Sequence, residues 1–241
     1  MGQSAGINEM RLQCRAIGSA LESVLRTNAV LRQSSAGRDL KRLSTRLSDP
    51  RLSNLQLNKL FPQAVQELKD VMTAHHEAGH VLAYRLLTPR HRIRLDDVQF
   101  TGRVTDADVE AGVTYTWIAE PCWPDPDQSD EVVRELACVL AGKRAEPPLI
   151  GHVHLTGSDR ADQMAIMELL DMLPEQERRE ATERALALLE QMDVFAQVPT
   201  VASYLYGRWA SGDTVVLFAE LEALLGEVGE PVPDPSADTS R

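Results

Sequence analysis

The chain has 241 residues, 43% of them hydrophobic, with three cysteines and a formal net charge of −11. That length can bury a full core, and no apolar run approaches the ~18–20 residues that a membrane helix requires, so the sequence reads as a cytoplasmic protein with no membrane span. Cys14, Cys122 and Cys138 form no CxxC pair and are odd in number, which excludes a disulfide framework and a thiolate metal site and leaves any metal to His and carboxylate ligands.

Charge divides along the chain. Residues 1–60 hold ten Lys and Arg against four Asp and Glu, a balance of +6, and the remainder, with 15 against 32, carries −17. The acidic body argues against nucleic acid as a partner, and the basic arm has no aromatic residue on which a base could stack.

Within that arm, Met10, Cys14, Ile17, Leu21, Val24, Asn28 and Leu31 recur at alternating spacings of 4 and 3. The pattern predicts a helix with an apolar seam and one polar member. Two uses are open: docking on its own domain, or a homo-oligomer or protein partner held through residues 10–31, with Asn28 fixing register. Ser34 to Gly37 reads as a helix break, and Ser44 to Asn58, with Pro50, as a second short helix and a linker.

A strongly periodic helix is expected from about Gln63 to Leu87, ending before Thr88-Pro89. Ile93 to Phe100 and Val113 to Trp117 alternate like strands of a small sheet, and Ser129 or Asp130 can cap a following helix that holds Val132, Leu136 and Leu140. Further helices are expected at about Ser158 to Met172, Glu175 to Gln191, Val198 to Trp209 and Thr214 to Leu225, and the proline-rich end from residue 229 reads as disordered. The fold class expected is mainly α with a small β-sheet, α+β, divided into a basic arm (1–60), a main domain (61–228) and a tail (229–241).

The chemistry sits in His76-Glu77-Ala78-Gly79-His80. On a helix, His at i and i+4 share one face, so two imidazoles can bind one zinc ion while the adjacent carboxylate acts as general base. Glu77 is therefore the candidate catalytic residue. Ala78 and Gly79 leave room for a neighbouring element to approach, and His75, about 100° away around the helix, is a structural residue rather than a ligand.

A catalytic zinc needs a third protein ligand. The extension HExxHxxGxxH is ruled out by Ala83 and Leu86, while Glu131, Glu135 and Glu146 are carboxylates available on a second helix.

The HEAGH run followed by Val81-Leu82-Ala83 resembles the peptidase domain of the FtsH family of membrane-anchored, ATP-dependent zinc proteases. Gly112 to Thr116 is similar to that family's glycine-tyrosine-threonine strand, Leu140 to Glu146 to its LAGRAAE helix, and Thr156-Gly157-Ser158-Asp159 to its TGASND segment. Tyr204 to Leu217 is like its C-terminal end, so the likeness covers about Ala64 to Val228. It implies a helical bundle around a zinc site, with His76, His80 and Asp159 as ligands and Glu77 as base. Asp162 takes the third place instead if the loop carries one inserted residue.

GxxxxGK[ST] does not occur, so ATP-driven threading is not expected of this chain. The activity implied is that of an ATP-independent metalloendopeptidase acting on polypeptide with Zn2+ as cofactor. The alternative is a catalytically silent, peptidase-like metal-binding protein that docks on a partner through its N-terminal helix.

Overall fold

The computed structural model describes residues 2–100, 111–117, 123–125, 127–147, 159–191 and 193–226. The expected tail from 229 and the Thr156 to Ser158 segment lie outside them.

Three helices form the N-terminal part: α1 (Gly2–Thr27), α2 (Ala29–Gln33) and α3 (Ser35–Leu47). Asn28 stops the first and caps the second, its Oδ1 accepting from the Leu31 N–H at 2.9 Å. Ser34 does the same for α3 through the Gly37 N–H at 3.0 Å. Small hydroxyl and amide side chains satisfy helix-start donors in this way, so the Ser34 to Gly37 stretch marks a junction between helices, with Ser35 to Gly37 forming the first turn of α3.

The central element is α4 (Asn54–Leu87), 34 residues long and hence about 51 Å from end to end. It begins at a capping box, where Ser53 Oγ accepts from the Gln56 N–H and Gln56 Oε1 accepts from the Ser53 N–H. The helix starts well before Gln63 and runs through Pro62. Proline removes one ladder hydrogen bond, and burial of Leu57, Leu60 and Ala64 on either side offsets that loss.

After α4 come β1 (Ile93–Phe100), β2 (Ala111–Trp117), α5 (Ser129–Ala145), α6 (Asp159–Asp171), α7 (Arg178–Gln191), α8 (Val198–Ala210), β3 (Val215–Leu217) and α9 (Phe218–Leu225). The three strands form an antiparallel sheet in the order β2-β1-β3, with Val98 opposite Val113 on one side and Val216 on the other. The architecture is thus mainly α with a small antiparallel sheet. Besides the early start of α4, the short helix and linker expected over Ser44 to Asn58 are the end of α3 and the start of α4 with a short connection between; Gln128, not Ser129 or Asp130, stands at the N-cap of α5; and the first residues of the expected last helix form β3. Pairing with β1 decides the last case, since an apolar Val-Val-Leu run fits either state.

Two apolar clusters share α4. One joins α1, α2, α3, most of α4 (Leu57 to Leu82), α8, α9 and the β1–β3 side of the sheet; the other joins the end of α4 to α5, α6 and α7. The arm seam belongs to the first cluster, with Cys14, Leu21 and Leu31 fully buried and Ile17 and Val24 nearly so. Residues 10–31 therefore do not offer that seam to an outside partner. Asn28 is buried with it, donating to the Pro199 carbonyl at 3.0 Å and accepting from Ser203 Oγ at 3.0 Å.

Candidate metal centre

Helices α4 and α5 pack closely at the HEAGH segment because Gly79 has no side chain. A Cβ there would lie 2.3 Å from the Ala141 carbonyl oxygen and 2.7 Å from the Ala145 methyl. The approach sets α5 against the histidine-bearing face, and α6 packs on α5 to bring a carboxylate from the far side.

His76, His80 and Asp162 converge there. His76 Nε2 lies 2.8 Å from Asp162 Oδ2, His80 Nε2 lies 3.4 Å from the same oxygen, and the two Nε2 atoms are 3.0 Å apart. Both histidines are buried and Asp162 is partly so. Of the two carboxylates considered from α6, Asp162 is the one that the described side chains bring to the histidines. Asp159 opens the same helix, and its side chain lies outside the described residues.

The outer ring nitrogens fix the chemistry of the inner ones. His80 Nδ1 sits 2.8 Å from the Cys138 carbonyl oxygen, which can only accept, so Nδ1 carries the proton and the neutral ring presents a bare Nε2. His76 Nδ1 donates in the same way to Glu146 Oε1 at 2.9 Å, while Glu146 Oε2 holds the Lys143 ammonium at 3.0 Å. Two nitrogen lone pairs and a carboxylate oxygen then face one another at about hydrogen-bond distance. That grouping is repulsive unless a cation sits among them.

A proton or a metal ion can fill that role. With protons alone, burial pulls the His76 imidazolium down, but hydrogen bonds to Asp162 and Glu146 carry its pKa up to about 10. Burial likewise opposes charge on His80, whose pKa is nonetheless raised through Asp162 and the Glu77 charge. Burial pushes Asp162 up, yet the hydrogen bonds from both histidines hold it well below the usual carboxylate range.

A metal ion is the other cation the grouping can take. Donors on a tetrahedral zinc ion, each ~2.0–2.1 Å from the metal, stand about 3.3 Å apart. The separations of 2.8, 3.0 and 3.4 Å need only small adjustments to reach it. The group can therefore hold a metal ion, with Glu146 and the Cys138 carbonyl orienting the two rings from behind.

Glu77 lies beside this group, buried to 3% exposure. Its Oε2 is buried and accepts no hydrogen bond among the described residues. Burial pushes its pKa up, against the pull of His80 and His76. An unpartnered buried carboxylate oxygen costs stability unless it has something to do.

The other candidates have different tasks. Glu135 accepts from Tyr84 Oη at 2.6 Å and from Trp123 Nε1 at 2.7 Å. Glu131 pairs with Arg92 and accepts from the Asp125 N–H at 2.9 Å. His75 donates from Nδ1 to the Val71 carbonyl at 2.8 Å and meets Asn28 Nδ2 at 3.3 Å through Nε2, so it is structural as expected.

Gly142 is the residue that sequence reasoning did not single out. A Cβ at this position would stand 2.4 Å from His80 Nε2 and 2.7 Å from His76 Nε2. Its signal was the spacing to Glu146, four residues and one helical turn further along the same face. Neither a model of a known protein family nor a curated protein matches the chain.

Proposed function

We propose that this chain is a zinc-dependent peptidase that hydrolyses peptide bonds without ATP, with His76, His80 and Asp162 holding the ion and Glu77 as general base. The observation that carries the reading is the buried, unpartnered Glu77 Oε2 beside two histidines and an aspartate whose donor atoms converge. A chain that needed the metal only for structure would gain by replacing this carboxylate with an apolar side chain.

Bound there, the ion supplies Lewis acidity, polarising the scissile carbonyl and making water more acidic. Glu77 takes one proton from the attacking water and passes it to the nitrogen of the departing amine. Glu146 and the Cys138 carbonyl keep the Nδ1 protons in place, so both Nε2 atoms stay available as ligands throughout.

The sheet offers a place for the substrate. Among the described residues, β2 pairs only with β1 and so exposes one edge. It lies near the site, because the ring of Tyr115 packs 5.6 Å from that of Tyr84, one helical turn beyond His80. An extended polypeptide can add to that edge through backbone hydrogen bonds, which favours unfolded substrates over any one sequence. The segments that resemble the FtsH-type peptidase domain, in the same order along the chain, support the same reading. The silent-module alternative keeps the missing ATPase motif as a support, but the arm seam through which it would dock is buried.

The test is cleavage of a disordered protein carrying quenched fluorophores. Turnover should vanish when zinc is removed, return with zinc, and fall at least ~100-fold in Glu77→Gln, a variant that should still bind zinc. Equal cleavage by that variant overturns the proposal. Stoichiometric zinc without turnover would favour the silent metal-binding protein.

A further inference from the structure

The arm carries a second feature, unrelated to the metal. Helices α1, α2 and α3 enclose a groove of about 490 Å³ on whose walls stand Arg26, Arg32, Arg38, Lys41 and Arg42. All five are exposed, and Leu25 contributes apolar surface between them. One acidic residue, Glu22, also lines the groove.

Two of the five cations are already paired. Lys41 Nζ lies 2.7 Å from Glu22 Oε1, and Arg42 Nη1 lies 2.9 Å from Asp39 Oδ1. Arg26, Arg32 and Arg38 make no such close ion pair among the described residues, although the Arg26 charge also acts on Glu22. Local helix physics explains their positions. Arg26 and Arg32 sit in the last turns of α1 and α2, where a cation complements the helix dipole. Arg38 Nη1 donates to the Gln33 carbonyl at the end of α2, at 3.1 Å. These contacts use few of the five N–H donors that each guanidinium carries.

We infer that this groove binds an acidic segment of another polypeptide, with Arg26, Arg32 and Arg38 each taking a carboxylate. A guanidinium fork matches a carboxylate bidentately, and the bond to the Gln33 carbonyl holds the Arg38 fork partly preorganised. Nucleic acid fits less well. Glu22 and Asp39 interrupt the positive surface, a densely charged phosphate backbone would meet them, and no aromatic side chain lines the groove for a base to stack on. A peptide spaces its carboxylates along the chain and can avoid both. Residues 61–241 carry a net −17, so the rest of the chain is on balance repulsive to an acidic segment and this groove is attractive. This binding stands whether or not the metal centre hydrolyses peptides.

The probe is a fluorescein-labelled peptide of alternating Glu and Ser, followed by anisotropy against the full chain carrying Glu77→Gln so that the peptide survives. Binding should weaken at least ~10-fold between about 50 and 300 mM salt, because exposed ion pairs are screened over this range. It should weaken by a similar factor in the double variant Arg26→Glu, Arg32→Glu, and several-fold in Arg26→Gln, Arg32→Gln if charge reversal disturbs folding. Arg179→Glu, at a site 91% exposed on α7, should leave binding unchanged.

Failure of the peptide to bind at low salt overturns the inference, as does an equal loss in Arg179→Glu. Tighter binding of an oligonucleotide of the same charge would assign the groove to nucleic acid instead. Dimerisation of the chain that is lost in the arginine variants would assign it to a second copy.

Discussion

Replacing Gly142 by alanine places a methyl carbon against the converging Nε2 atoms of His76 and His80. The new Cβ would stand 2.4 Å from His80 Nε2, 2.6 Å from His80 Cε1 and 2.7 Å from His76 Nε2. Both rings would have to move by about 1 Å to restore ordinary contact, whereas metal–ligand distances are met only within about 0.2 Å. Neither ring swings freely, since turning either one breaks the Nδ1 hydrogen bond to Glu146 or to the Cys138 carbonyl. Disturbing such orienting contacts alone typically costs ~10–100-fold in metal affinity, and here the ligand atoms are displaced as well.

Zinc affinity should therefore fall at least ~100-fold, or about 2.7 kcal/mol, when measured by competition with a chromophoric chelator. The fold should survive. Overpacking costs about 1–3 kcal/mol, and alanine returns up to about 1 kcal/mol of helix propensity to α5. Thermal unfolding of the metal-free variant should thus shift by only a few degrees. Wild-type zinc affinity in Gly142→Ala would refute the idea that the histidine Nε2 atoms are the ligands.

Asp162→Ala should lose zinc at least ~100-fold while Asp159→Ala binds normally, as read by metal analysis of the purified variants; the reverse pattern would move the third ligand to Asp159. In chelator, stability to urea should decline as pH rises from about 6.5 towards 10. The raised pKa values of His76 and His80 give stability that is complete below the unfolded value and lost through the folded one, and the raised Glu77 pKa acts in the same direction. On the acid side the depressed Asp162 gives stability that is lost as pH falls below its unfolded value, and His75, lowered by burial, adds to that loss below about 6.5. Saturating zinc displaces the protons and should flatten the alkaline decline; a metal-free chain whose stability holds or rises above pH ~7 would contradict the hydrogen-bonded proton assignment. Asn28→Ala removes the α2 cap and the partner of His75 Nε2, and leaves Ser203 Oγ with the Pro199 carbonyl alone, so it should cost about 2–4 kcal/mol in urea unfolding, and a change under about 0.5 kcal/mol would show that the arm docks by its apolar seam alone.

The sequence by itself determined the local chemistry. His76 and His80 one turn apart with Glu77 between them, the strand alternation at Ile93 and Val113, and the seam from Met10 to Leu31 are periodic signals written in consecutive residues, so they can be read without a fold. Tertiary structure decided what those signals meet. Asp162 joins the histidines because α6 packs on α5 at one angle, a fact to which spacing along the chain is blind. Glu146 turned from a possible ligand into the partner of His76 Nδ1 for the same reason. The arm seam could serve an outside helix or its own body, and only packing against α3, α4 and α8 chose between them. Asn28 shows the difference most plainly: its polarity in an apolar seam was legible, but its bonds to Pro199 and Ser203 cross about 170 residues of chain. Contacts at that separation are fixed by the closing of the whole core, not by any local preference.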